Sequence, residues 1–313
     1  MQIFVAVAGS GGTTAGAVAL ALSQSATSAA LIELEGELGT RLFDRVGRRL
    51  ILNDTGRALL PEARSMLQSA ASIEMEFGVG ADVRAYDLKL GASTTIANYI
   101  LPSVVARFCE RYPQAQVEIV VGNTGDIVTA VEEFAVDMGF IEGPCLRSSI
   151  TVVPWMTDDM VIVCSPDHEL ARKWRKQQVP LQALRDARWL FREPGSGTRE
   201  TVEHALAPHL QRLRSQMQLG SAESIKHAAA EGLGITCLSR HIVEDMLRLR
   251  QLVLLQTPLP KLRRDFCLIH QHDKSMTTGL RAFVAHCIAT VSGDSLAVGG
   301  KRAVRGVKGL TNI

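Results

Sequence analysis

Two short stretches of this 313-residue chain offer the same chemistry. Gly91-Ala92-Ser93-Thr94-Thr95 and Pro194-Gly195-Ser196-Gly197-Thr198-Arg199 each read as a strand end, a Gly/Ser/Thr turn and a helix start. Such a turn presents hydroxyls and free backbone N–H groups, and the helix dipole there favours negative charge. Glycines let a ligand come close to the backbone. Two such turns facing one cleft would hold a small anion or the carboxylate of a metabolite. Thr124, Glu142 and Ser221 are further candidates for that site, and Arg199 is either its counter-charge or an outer-face residue. A different chemistry is offered near the N-terminus. Ser23 can cap a helix whose first turn carries Gln24, Ser25 and Ser28. Short polar side chains at the start of a helix can reach base edges in a major groove, where Gln pairs with adenine. Arg41, Arg45, Arg48 and Arg49 follow and could meet phosphates or a narrow minor groove.

Catalytic patterns are weak. Gly195-Ser196-Gly197 is not a nucleophile elbow, because Pro194 and Thr198 hold the outer positions. No Gly-Lys-Ser/Thr follows it, so it is not a phosphate-binding loop of the nucleotide hydrolases. His270 and His272 alternate along an expected strand without a third ligand, and read as surface histidines. His168 reads as a loop residue. The six cysteines (109, 145, 164, 237, 267, 287) form no C-x-x-C pair, which suits reduced thiols in the cytoplasm. No enzyme activity, metal or cofactor is expected.

The elements that must position these residues follow from periodicity. Thr27, Leu31, Leu34 and Leu38 step by four, three and four, a helical stripe. Leu59, Ala63, Met66, Ala70, Ile73 and Phe77 continue in heptad spacing, the mark of a helix that pairs with another. Gly78-Val79-Gly80 would end it as a hinge. From Asp87 strands alternate with helices, an α/β pattern with parallel sheets. Strands are expected at 88–92, 117–121, 138–141, 161–164, 189–191, 216–219, 235–238, 252–255 and 266–270. Helices are expected at 96–112, 127–134, 199–212, 224–231, 243–249 and 278–291. Residues 292–313 have no periodicity and are expected to be a disordered tail. The net charge of +2 is too small for wholesale coating of nucleic acid. Residues 1–77 hold six arginines against eight acids, so DNA binding would rest on a small footprint and on dimerisation. No run of 18 apolar residues occurs, and no secretory leader is evident.

The N-terminal segment resembles the winged helix-turn-helix of LysR-type transcriptional regulators. The match runs through Phe4, Ala15, Ala17, Leu20, Ser23, Gln24, Ser25, Ser28, Leu34, Glu35, Leu38, Gly39, Leu42, Phe43, Arg45 and Gly56. Pro166, His168, Leu170 and Ala171 match a structural turn of the same family. The resemblance implies a winged helix-turn-helix over 1–56, a linker and dimerisation helix with its hinge over 57–80, and an effector-binding domain over 87–291. The last would be two-lobed and similar to periplasmic binding proteins, with lobe I at about 87–162 and 265–291 and lobe II at about 163–264. It implies double-stranded DNA, a small anionic effector and a second or further copies of the chain as partners, without a membrane. The loop at Ser93, Thr94 and Thr95 is closest to members that sense sulfur compounds or other small oxyanions. Effector closure between the lobes would then change how dimers pack on DNA. Three positions depart from the pattern. Gly12 stands in for a capping Ser, Gly16 for a helical Ala, and Thr27 for a buried apolar residue. With a first helix that starts late, they raise an alternative: an anion- or solute-sensing protein whose DNA-binding domain is truncated or decayed.

Overall fold

A computed structural model describes residues 1–46, 49–77, 86–210 and 215–297. The side chains of 72, 74–77, 215 and 291–297 stand outside that description. The chain forms two compact units. One comprises 1–85 with 132–135 and 273–277; the other comprises 86–131, 136–272 and 278–313.

The first unit begins with three helices: α1 (Gln2–Ser10), α2 (Thr13–Ala19) and α3 (Gln24–Leu38). A two-stranded antiparallel ribbon follows, β1 (Phe43–Val46) and β2 (Arg49–Leu52), and then the long helix α4 (Asp54–Phe77). Phe4, Val7, Leu31, Leu42, Phe43 and Ala63 form one core, with the Phe4 and Phe43 rings edge to face at 5.6 Å. The Ser23 hydroxyl caps α3 by accepting the Ala26 N–H at 3.1 Å. Thr27 is fully buried, and its hydroxyl donates to the Ser23 carbonyl at 3.0 Å, which removes the cost of burying it. Gly16 is also explained. A Cβ there would lie 2.9 Å from Val7 Cγ2 and 3.2 Å from the Val7 Cα, so its absence lets α2 pack directly on α1.

The heptad stripe of α4 divides. Leu59 and Ala63 pack into the first unit's own core, while Met66 and Ile73 are each 61% exposed. Phe77 and the Gly78-Val79-Gly80 hinge lie outside the described side chains and residues. The helix also starts three residues earlier than expected, because the Asn53 side chain accepts the Gly56 N–H at 2.9 Å.

The second unit is two-lobed. β3 (Asp87–Ser93), β4 (Gln116–Gly122) and β5 (Met138–Glu142) are mutually parallel, with β3 in the centre. β6 (Ile150–Cys164) and β11 (Leu262–Gln271) run antiparallel along their whole length and carry the chain through both lobes. β9 (Thr236–Ser239) and β10 (Val253–Leu254) pair with β6, and β7 (Arg188–Phe191) is parallel to β8 (Ser215–Gln218). The sheets are therefore mixed rather than parallel. β6 is 15 residues long although only its last four were expected, because Pro154 and the charged pair Asp158-Asp159 interrupt its apolar pattern. A register shift between Phe266 and Cys267 accommodates Trp155 at that point.

The helices are α5 (Thr94–Tyr99), α6 (Leu101–Arg111), α7 (Thr124–Glu132), α8 (Glu169–Lys173), α9 (Leu181–Asp186), α10 (Gly197–Leu210), α11 (Ala222–Ala230), α12 (Arg240–Arg248) and α13 (Thr278–Ala297). The single helix expected over 96–112 is two, broken at Ile100; Pro102, in the first turn of the second helix, has no N–H to continue the hydrogen bonding of the first. α13 continues to Ala297, past the expected start of the tail; 298–313 lie outside the described residues. One lobe packs α7 on β5 and β11 through Ile127, Val131, Ile141 and Ile269. The other surrounds Trp189, Phe191 and Leu206 on one sheet face and Ile225, Leu238 and Ile242 on the opposite face. Among the described residues no single helix is long and apolar enough to cross a membrane.

Candidate functional site

β3 and β5 are adjacent parallel strands, so their C-terminal ends, Ser93 and Glu142, open on the same edge. The Glu142 carboxylate is buried there and gathers four donors. One oxygen accepts the Ser93 hydroxyl at 3.0 Å and the Thr95 N–H, in the first turn of α5, at 3.1 Å. The other accepts the Thr198 hydroxyl at 2.8 Å and Arg264 Nη1 at 2.6 Å. Thr198 lies in the first turn of α10, in the other lobe. The two turns read from the sequence as anion cradles thus do face one point, and a carboxylate of the chain itself stands at it.

Arg264 was not among the expected site residues. It sits opposite Asp158 in the β11–β6 register, and its Nε donates to Asp158 at 2.8 Å. Ser239 donates to the other Asp158 oxygen at 2.7 Å. Strand parity carried a signal for this: Leu262, Arg264 and Phe266 alternate, and all three are buried. Two buried carboxylates therefore share one guanidinium. Burial is the largest influence on Glu142 and would push its carboxyl up. Arg264 and the donors Thr95, Thr198 and Ser93 together outweigh it and hold the group below the ordinary carboxylate range. Asp158 goes the other way: burial raises it, and Arg264 and Ser239 offset only part of that. Two buried polar atoms beside Glu142, Thr95 Oγ1 and Arg264 Nη2, have no hydrogen-bond partner.

Thr124, at the start of α7, bridges the lobes by accepting the Gly197 N–H at 3.3 Å and donating to the Glu142 carbonyl at 3.5 Å. Gly125 donates to the Gly195 carbonyl at 3.1 Å. A Cβ at 197 would lie 2.1 Å from the Glu142 carbonyl oxygen, so only glycine permits this approach. Gly195 has φ 83°, a left-handed turn that glycine adopts without strain. Ser196 is buried next to them. Thr94 points elsewhere and accepts from Arg192 at 3.1 Å. Arg199 takes the outer-face alternative, bonded to Glu203 at 2.9 Å and Gln218 at 3.1 Å. Ser221 caps α11 by accepting the Ser224 N–H, and no bond joins it to the Glu142 group among those described.

In the first unit Gln24 and Ser25 are exposed on the first turn of α3, and Ser28, one turn on, is half-buried. Gln24 Nε2 donates to Ser28 Oγ at 3.0 Å and lies 3.3 Å from Thr13 Oγ1. Arg45 and Arg49 are exposed on the ribbon; Arg48 lies outside the described residues. The histidine reading needs correction in one respect. His270 is buried, not at the surface, because its strand face packs inward, whereas His272 is exposed beside Thr151. His168 caps α8 by accepting the Leu170 N–H. No group of three or more His, Cys, Asp or Glu among the described residues could hold a metal. Burial pushes the Cys164 and Cys237 thiols up to about 12, far from the thiolate that reacts.

A helix with polar side chains at its start, a wing, and a two-lobed domain closing on a buried polar point define a ligand-responsive DNA-binding protein. The bacterial regulatory helix-turn-helix of the lysR family matches residues 1–57, and the LysR substrate binding domain matches 81–292. The chain belongs to the LysR family of DNA-binding transcriptional regulators. It is 46% identical over 288 residues to the uncharacterised HTH-type transcriptional regulator YeiE of Escherichia coli K12, covering 92% of this chain and 95% of that one. The regulatory domain of Synechocystis CcmR in complex with 2-PG has a TM-score of 0.60 and 27% identity. That match covers 65% of this chain and 96% of that one. Full-length OxyR of Pseudomonas aeruginosa has a TM-score of 0.74 at 20% identity, covering 93% and 92%. The three helices and the two-stranded ribbon of the winged helix-turn-helix are all formed, which favours a DNA-binding domain over the truncated or decayed alternative.

Proposed function

We propose that this regulator binds DNA as a dimer or larger assembly in the cytoplasm and senses a small oxyanion where Ser93, Thr95, Thr124, Glu142, Gly197 and Thr198 converge. The observation that carries the reading is the Glu142 constellation. Two helix N-termini and Arg264 aim at one carboxylate, and Thr95 Oγ1 and Arg264 Nη2 remain unpartnered beside it. This environment holds negative charge already. An incoming oxyanion either displaces the Glu142 carboxylate or carries a proton that it shares with it, because two unprotonated anions in contact repel. Either event alters bonds that join the lobes, so ligand binding and lobe closure are linked. The reading extends to this chain what is seen in the CcmR domain, which holds 2-PG. Gln24, Ser25 and Ser28 read bases, and Arg45, Arg48 and Arg49 hold phosphates. The exposed Met66 and Ile73 of α4 supply the paired surface of the dimer.

The test is a fluorescence-anisotropy titration of the full chain against its own upstream DNA and a scrambled duplex, at two salt concentrations. It is run with and without inorganic sulfur and phosphorus oxyanions and short carboxylates. Preference for the upstream duplex, altered by one of the oxyanions and abolished by Thr95→Val and Thr198→Val, supports the proposal. A response that survives both substitutions rejects this site.

A further inference from the structure

The second unit has another built surface, on the lobe that holds α8 and α12. β10 is a two-residue strand at one end of the sheet order β10-β6-β11-β5-β3-β4, and next to it the Gln256 carbonyl accepts the Val179 N–H at 2.8 Å. An open groove of about 960 Å³ lies along it. Leu247, Leu252 and Leu255 contribute to its apolar lining, and Leu254 is 44% exposed at the strand. Arg172, Arg175, Arg240 and Arg250 stand around it, against the single acid Asp167. Arg172 is bonded to Asp167 at 2.6 Å, and Arg240 to Glu244 at 3.0 Å. Arg175 and Arg250 have no carboxylate partner among the described residues, and both are exposed. Arg250 has φ 57°, a left-handed conformation that glycine adopts more readily than arginine.

We infer that this groove docks an extended acidic segment of a partner protein, with leucine-like anchors. The leucines take its apolar side chains, and the arginines meet the acids between them. Charge complementarity chooses this occupant. Residues 298–313 of the chain itself carry Lys301, Arg302, Arg305 and Lys308 and no acid, so like charge opposes docking of its own C-terminal end. Nucleic acid would satisfy the arginines but leave the leucine lining unused.

The experiment titrates the full chain with a fluorescein-labelled peptide alternating Glu or Asp with Leu or Val. A counterpart with Lys for every acid is the control. Hydrogen exchange with and without peptide locates the site. Binding of the acidic peptide alone is expected, with protection over 247–256. Arg175→Glu with Arg250→Glu should weaken it at least about tenfold, as loss of desolvated charge pairs does at interfaces. Arg250→Gly keeps the backbone geometry and should weaken it about threefold with no loss of melting temperature. Equal binding of both peptides, unchanged affinity in the double variant, or protection elsewhere overturns the inference. So does displacement of the peptide from this groove by short duplex DNA, or a change of oligomeric state in the variants without peptide binding.

Discussion

Glu142 is the residue on which the site turns. Its carboxylate ties one lobe's α5 to the other lobe's α10, and Arg264 couples it to Asp158. Its folded-state acidity lies below the unfolded value. Its contribution to stability is therefore complete above the usual glutamate range of about 4.3 and is lost as pH falls through the lowered folded value. Asp158 acts in the opposite sense. Raised by burial, it favours the fold while protonated, and that advantage is lost as pH rises through its folded value. Glu142→Gln should therefore cost about 1–3 kcal/mol at neutral pH, the range for a buried polar group with weakened partners. It should also flatten the acid limb of stability, because Gln has no proton to take up. Urea unfolding at a series of pH values measures both; an acid limb as steep as that of the parent would exclude Glu142 as its source. At the DNA-reading helix, Gln24→Ala should lose about 1–3 kcal/mol of discrimination between the upstream and scrambled duplexes, the range for one side-chain pairing with a base. An equal loss on both duplexes would assign Gln24 to phosphate contact instead.

At the scale of elements, two backbone features set the geometry of the helix-turn-helix. Ala21 in the turn between α2 and α3 has φ 53°. That conformation costs an alanine about 1 kcal/mol or more, and Ala21→Gly should recover about that amount in thermal unfolding. A drop in melting temperature would show that the turn is held by something other than this conformation. Gly16→Ala tests the opposite case. Helix propensity would gain about 1 kcal/mol. The added Cβ meets Val7 main-chain atoms as well as its side chain, however, and overpacking of this kind costs about 1–3 kcal/mol. A net loss is expected, read as a lower melting temperature and weaker binding to every duplex.

At the scale of the whole effector domain, the bonds that join the lobes include the Glu142 group with Thr124 and Gly125, and the bond from Arg192 to Thr94. They also include a latch in which Tyr99 of α5 donates to Glu223 of α11. Lys226 there bonds Glu223 at 2.9 Å, Tyr99 at 3.2 Å and Asp245 of α12 at 3.3 Å. Burial, reinforced by the bond to Glu223, pushes the Tyr99 phenol up to about 12, so it is a neutral donor at physiological pH. Tyr99→Phe removes both bonds of the hydroxyl, to Glu223 and from Lys226, each worth about 1 kcal/mol, and should shift the closure equilibrium at least about fivefold toward the open form. Faster hydrogen exchange over α5 and α11 measures the shift. Unchanged exchange there would mean that this latch does not hold the lobes together.

Much of this protein follows from local sequence. The helix-turn-helix, most of the strands and helices, and the two hydroxyl-rich helix starts were legible, because each rests on periodicity and turn chemistry within a few residues; the wing followed from the family resemblance, and the short helices α8 and α9 were missed. Tertiary structure decided the rest. That both helix starts meet at Glu142 depends on β3 and β5 being neighbours. That Arg264 joins them depends on the register of β11 against β6, 106 positions away in sequence at Asp158. The full length of β6 stayed hidden behind Pro154 and two aspartates, one of which faces a buried guanidinium. Buried charge is written in the sequence only as a break in a pattern. Its partner is chosen by long-range strand pairing, which no local spacing encodes.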